Sequence, residues 1–266
     1  MFDTQPPLRY DWLLLAQIYL RERAMYQTEK TPFIARPPSP TRGNDEKTIR
    51  LNSHETFTLT DKFFKEVIAT KSSIEDRDIV FIIINHVVPT LPPFLRAIER
   101  IGKIAVVIPK QSHRDEAVFA EIQKNYTMAD SHVTREWLAQ ENHAVEFIGS
   151  YVKADENFLI IDIGGYFASP LPKISRELKE KFIGIVEDTE NGHQKYEKIL
   201  REVGSPLCPL ASVARCALKE TEDYNVGKSI VEGAGIILRT DSHTMLERMK
   251  TIGVIGFGKI GSSRVS

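Results

Sequence analysis

Three glycines, Gly256, Gly258 and Gly261, follow one another in the spacing G-x-G-x-x-G inside TIGVIGFGKIGSS, residues 251–263. Behind a strand, the first permits a tight turn, the second lets backbone approach a pyrophosphate, and the third lets helix pack on strand. The full fingerprint also uses an acid about 20 residues on to hold the ribose hydroxyls, and only five residues follow Gly261. A glycine-rich turn is the alternative reading. A second glycine feature, IIDIGG at 160–165, ends an apolar run in Asp162, Gly164 and Gly165, and paired glycines there let backbone approach a ligand or simply turn the chain. The third is GIVEDTENGHQKYEK at 184–198, where an apolar run meets Glu187, Asp188 and Thr189. Thr189 suits a helix N-cap, and the two acids suit the positive end of a helix dipole. His86 closes the run IVFIIIN with a side chain able to move a proton near neutrality, or to hydrogen-bond a turn. His193 reads as a surface residue. The seven histidines are scattered, with neither H-E-x-x-H nor C-x-x-C, so no metal site is expected. Cys208 and Cys216 read as buried thiols.

The elements that must position these residues follow from hydrophobic runs. IVFIIIN at 79–85, KIAVVIP at 103–109, HAVEFIG at 143–149, FLIIDIGG at 158–165, KFIGIVE at 181–187 and TIGVIGFG at 251–258 predict strands. Continuous runs, as opposed to alternation, indicate strands covered on both faces, the habit of a parallel sheet. Between them, 93–101, 113–125, 133–140, 170–179, 190–203 and 223–239 have helical length. The alternation predicts an α/β, doubly wound, mostly parallel sheet of Rossmann-like type. Ligands of such sheets sit outside the carboxyl ends of the strands, which singles out Asn85–His86, Pro109–Lys110, Asp162–Gly165 and Glu187–Thr189. Residues 9–26 predict an amphipathic helix, and the proline-rich stretch 31–47 an irregular arm.

Of the 266 residues, 42% are hydrophobic and 27% charged, with 35 Lys+Arg against 36 Asp+Glu. Near-neutral charge argues against a nucleic-acid binder, which normally shows a strongly basic domain. The longest apolar runs, at 12–15 and 80–84, fall far short of the roughly 20 residues of a membrane helix, and the N-terminus has no basic region of a signal peptide. Two cysteines imply no disulfide framework, so the expected compartment is the cytoplasm.

Taken in order, IIDIGG, GIVEDTENGHQKY, SVARCALKETEDYNVGKSIVEG and GVIGFGKIGSS resemble the blocks of adenosylhomocysteinase, over about residues 158–263. Upstream, INHVVPTLPPFLRAIERIGKIAVVIP at 84–109 is weakly similar to another block of the family, with His86 at its histidine position. Beyond the N-terminal helix and irregular arm of 1–47, the resemblance implies a substrate-binding domain at 48–225, and at 226–266 a connecting helix with an NAD-binding domain that breaks off as it begins. It implies oxidation of the ribose 3′-hydroxyl of S-adenosylhomocysteine by tightly bound NAD, elimination of homocysteine, addition of water and reduction back, the cofactor supplying the hydride chemistry. It further implies a homo-oligomer and an adenine nucleoside as small-molecule partner.

Carried over residue by residue, His86, Asp162, Asp188 and Arg215 fall near the nucleoside, and Thr189, Asn191, Gly256, Gly258 and Gly261 near NAD. The family's second acid after the strand is Ile163 here, its Thr-Thr-Thr run is Thr189, Glu190 and Asn191, and its catalytic lysine is Arg215. Arginine stays protonated, and five or more pKa units at about 1.4 kcal/mol each is roughly 7 kcal/mol against its use as a base. Arg215 therefore suits anion binding and not proton shuttling. The Asp-Asn pair that follows the family's lysine has no clean counterpart, Asp223 and Asn225 lying nearby at a different spacing. Two other classes fit the same residues: a non-catalytic nucleotide-binding or protein-interaction scaffold, and a different NAD enzyme in which Arg215 clamps an anionic substrate.

Overall fold

The computed structural model describes residues 79–215 apart from 141, 205 and 206, together with scattered positions within 61–66 and 219–260. The chain divides into two compact units, Met1–Ala214 and Arg215–Ser266. The helix expected at 9–26, the arm at 31–47 and the strand at 251–258 apart from Gly258 lie outside the described residues, as do Asn225, Gly256 and Gly261.

In the first unit five strands make one sheet: β1 (Ile79–Val87), β2 (Lys103–Arg114), β3 (Asn157–Asp162), β4 (Phe182–Glu187) and β5 (Leu210–Ser212). Their order is β2-β1-β3-β4-β5, and every pairing is parallel. Helices α1 (Leu91–Ile98), α2 (Glu116–Ile122), α3 (Arg135–Leu138), α4 (His143–Tyr151), α5 (Leu171–Glu177) and α6 (Glu190–Val203) lie in the connections. The α/β, doubly wound, Rossmann-like expectation is what the unit adopts. The physical reason is visible in β1, where Val80–Ile84 are all buried; a strand apolar on both faces must be covered on both. The same holds for Phe158–Ile161 and Ile185–Val186.

Local chemistry starts and stops the helices. Asp115 caps α2 by accepting from the Ala117 and Val118 amides at 2.9 and 3.1 Å. Thr189 caps α6 by accepting from Gly192 N at 3.2 Å, and Gly204 ends it in the left-handed region at φ +73°. Residues 190–203 are helical as expected.

Four elements differ from the sequence expectation. HAVEFIG, expected as a strand, is helix α4: Ala144, Phe147 and Ile148 are the buried residues, a helical i, i+3, i+4 spacing that a run of apolar residues conceals. The helix expected from 113 begins only at Glu116, because β2 continues to Arg114, which pairs with Val87. The helix expected over 133–140 shrinks to the single turn α3, capped by the Thr134 hydroxyl. Strand β5 was not foreseen. Its three residues pair with Ile185, Val186 and Glu187 but are too few to show a period.

The winding reverses at β1: β2 lies on one side of it, and the chain then crosses back to place β3 on the other. At such a reversal the loops leaving the two carboxyl ends diverge and open a crevice. Asn85–His86 leave β1 there, and Asp162–Gly165 leave β3.

Candidate functional site

The carboxyl edge of the sheet is built around a row of polar residues, buried on β3 and β4 and half-buried on β5. Asp162, Glu187 and Ser212 are register partners on β3, β4 and β5, and in a parallel sheet such partners share a face. Helix α6 covers that face, since the Tyr196 hydroxyl donates to Asp162 Oδ2 at 2.5 Å. Asp162 also accepts from the backbone amides of Tyr166 and Phe167 at 3.1 and 3.0 Å. Glu187 accepts from Gly164 N and Gly165 N, each at 3.0 Å, and from the amide and hydroxyl of Thr189 at 2.6 and 2.7 Å.

Together the two carboxylates hold four consecutive amides of the loop after β3. Gly164 and Gly165 are needed for the bend: φ is +96° and +66°, a region costly to residues with a Cβ. Gly192 is needed for a different reason. A Cβ there would overlap the Glu187 carboxylate, so the glycine lets the helix settle onto the acid. Burial and the neighbouring Asp162 charge push the Glu187 carboxyl up to about 8, against the pull of its donors. Burial likewise raises Asp162. Two fully enclosed carboxyls this close do not both ionise readily.

Around the glycine bend stand cations. The Lys195 ammonium donates to the Gly164 carbonyl at 2.7 Å, and a Cβ on Gly164 would sit 3.4 Å from Lys110 Nζ. Burial, then the charges of Arg135 and Lys110, lower the Lys195 ammonium against the opposing pull of Glu187 and Asp162. A cleft of about 290 Å³ opens beside the bend, its wall including Arg135, Gly165, Ala168, Lys195 and Ile199. A second, of about 400 Å³, lies at the end of β2 beside Pro109, Lys110 and Arg114.

The expected site residues are placed as follows. His86 is half-buried at the end of β1, its backbone amide donating to Asn85 Oδ1 at 2.7 Å. Asp162 is wholly buried, and its backbone carbonyl accepts from Asp188 N at 3.1 Å; Asp188 itself is 1% exposed. Ile163, at the family's second acid, is wholly buried. Arg215 and Asn191 are exposed. Thr189 has its hydroxyl engaged with Glu187 and the α6 cap. Gly258 is exposed, and a Cβ there would meet nothing within 4 Å. The described members of the expected NAD set therefore offer no cradle that demands a glycine or presents an idle hydroxyl. The half-buried Cys208 thiol is pushed up to about 12 by burial, which keeps it protonated and unreactive at neutral pH. Among the described residues no cluster of metal-ligating side chains occurs, and no helix is long and apolar enough to cross a membrane.

Glu187 ends the strand, as the run 181–187 predicts, but instead of serving only a helix dipole it faces inward onto the Gly164 and Gly165 amides. Lys195 and Tyr196 carried no expectation from the sequence. Their signal was available as the spacing Gly192, Lys195, Tyr196, which puts all three on the α6 face that meets the sheet. No protein-family model and no curated protein matches the sequence.

Proposed function

We propose that this chain is an adenosylhomocysteinase-like protein that binds an adenine nucleoside, of the kind of S-adenosylhomocysteine, at the carboxyl edge of its sheet. One observation carries the reading. The blocks INHVVP, IIDIGG and GIVEDTENGHQKY, whose order resembles that family, run across the carboxyl ends of β1, β3 and β4, the edge at which ligands of doubly wound sheets are bound. His86 is the half-buried side chain on the β1 side of the crevice and is assigned to hydrogen-bond the nucleoside. NAD enters the reading through the glycine fingerprint, of which only Gly258 lies among the described residues.

The burial of Ile163 favours binding over turnover. A wholly buried hydrocarbon replaces the family's second carboxyl there, and an arginine stands in place of its lysine. The chain retains a nucleoside-binding edge without the family's full proton-transfer set, which is the non-catalytic form of the same reading.

Isothermal titration of the purified chain with adenosine, S-adenosylhomocysteine and NAD in separate arms tests it. Adenosine should bind with a dissociation constant in the micromolar range, about −8 kcal/mol, and His86→Ala should weaken it about tenfold, the scale of one hydrogen bond. Absence of adenosine binding by folded protein overturns the proposal.

A further inference from the structure

Asn85 lies at the end of β1, where the winding reverses, and one end of its side chain is idle. The residue is 5% exposed. Its Oδ1 accepts from the His86 amide at 2.7 Å, which fixes the orientation of the group, since the flipped amide would set one donor against another. Nδ2 is thereby turned away from the His86 amide, and it is enclosed without a hydrogen-bond partner among the described residues. Pro109, the register partner on β2, has no side-chain acceptor to offer it.

A buried donor left unpaired costs stability, and roughly nine-tenths or more of buried polar groups in folded proteins are paired. Among the described residues the exceptions are not scattered. With Asn85 Nδ2 stand His193 Nδ1 and Ser212 Oγ. Ser212 ends β5, and His193 lies in the opening turn of α6, just after β4. All three residues sit at the carboxyl edge of the sheet, where ligands of doubly wound folds are bound. An apolar side chain at position 85 would avoid the cost, as Ile82–Ile84 do in the preceding positions of the strand. An amide there is accounted for by a ligand that completes it.

We propose that Asn85 is a ligand-binding residue of the crevice between β1 and β3, its Nδ2 donating to an acceptor atom of the nucleoside, a hydroxyl oxygen or a ring nitrogen. The assignment rests on the nucleoside reading and adds to it a second residue beside His86. Because the nitrogen is enclosed, the ligand reaches it by parting the loops that leave the two strands, 88–90 and 163–170.

Calorimetric titration of adenosine into the full chain and two variants tests it, with a chemical melt of each in the absence of ligand. Asn85→Asp keeps an oxygen to accept from His86 and removes the donor, so adenosine should bind roughly tenfold more weakly or worse. A residue that served only to hold His86 would leave this variant binding like wild type. Asn85→Leu, which also covers a failure of Asn85→Asp to fold, removes an unpaired donor. Its ligand-free chain should melt at or above the wild-type denaturant midpoint, while binding again falls roughly tenfold or more. Two analogues, 2′-deoxyadenosine and 3′-deoxyadenosine, locate the acceptor. The analogue lacking the hydroxyl that Asn85 meets should bind wild type more weakly than adenosine does and lose nothing further in Asn85→Leu; equal losses for all three nucleosides place the acceptor elsewhere on the molecule. Wild-type affinity for adenosine in either folded variant overturns the assignment and leaves the nucleoside reading standing. A ligand-free Asn85→Leu chain that melts well below wild type also overturns it, since the amide would then be structural. A wild-type chain that binds no adenosine overturns the reading and the assignment together.

Discussion

Glu187 shows how one side chain can couple loop geometry to solution conditions. Its carboxyl, raised from the ordinary 4.5 to about 8 by burial and by Asp162, binds a proton in the folded chain that the unfolded chain releases. Between about pH 4.5 and 8 the native state therefore holds more protons than the unfolded state, and stability falls as pH rises through that window. One proton gives a slope on the order of 1 kcal/mol per pH unit. Denaturant melts between pH 5 and 8 should show this decline. Glu187→Gln, an uncharged mimic of the protonated acid, should flatten it, and an undiminished slope in that variant would assign the effect to another group.

Helix α6 gathers most of the site. It carries the Thr189 cap, the glycine that admits Glu187, the lysine that braces Gly164 and the tyrosine that meets Asp162. Thr189→Ala removes an N-cap acceptor and a donor to Glu187 together, so a loss of about 1–2 kcal/mol is expected from chemical denaturation. A loss below about 0.5 kcal/mol would mean that the cap and the acid are held by other bonds. At this scale the sequence was readable where local chemistry is self-contained. Thr189 followed by a polar, periodic stretch to Gly204 announces a helix, and continuous Ile and Val runs announce covered strands. It was not readable at 143–149, where adjacent apolar pairs suit either period, nor at β5, whose three residues are defined by pairing with β4. The same limit applies to the site. Asp162 and its glycines were visible as a strand end, whereas Lys110 and Lys195 are 85 positions apart in the chain and meet only through the fold.

For the first unit as a whole, the sheet order ranks the strands by protection. β1, β3 and β4 have a neighbour on each side, while β2 and β5 each have one. Native-state hydrogen exchange should find the amides of Ile82–Ile84 and Leu159–Ile161 among the slowest, and those of Leu210–Ser212 among the faster strand amides. Equal rates across all five strands would contradict a single cooperative sheet centred on β1 and β3.

The crossover at β1 also sets a timetable for synthesis. Leaving the ribosome, β1 finds β2 after a single short helical connection, but its other partner, β3, begins about seventy residues after β1 ends. At roughly 5–20 residues per second, translation keeps the second edge of this nascent hairpin-free pair bare for about 4 to 14 seconds. That edge is the apolar run Phe81–Ile84, later the centre of the sheet, and a bare apolar edge is a template for another chain. The strand that anchors the finished molecule is thus the one most in need of shelter while the chain is being made.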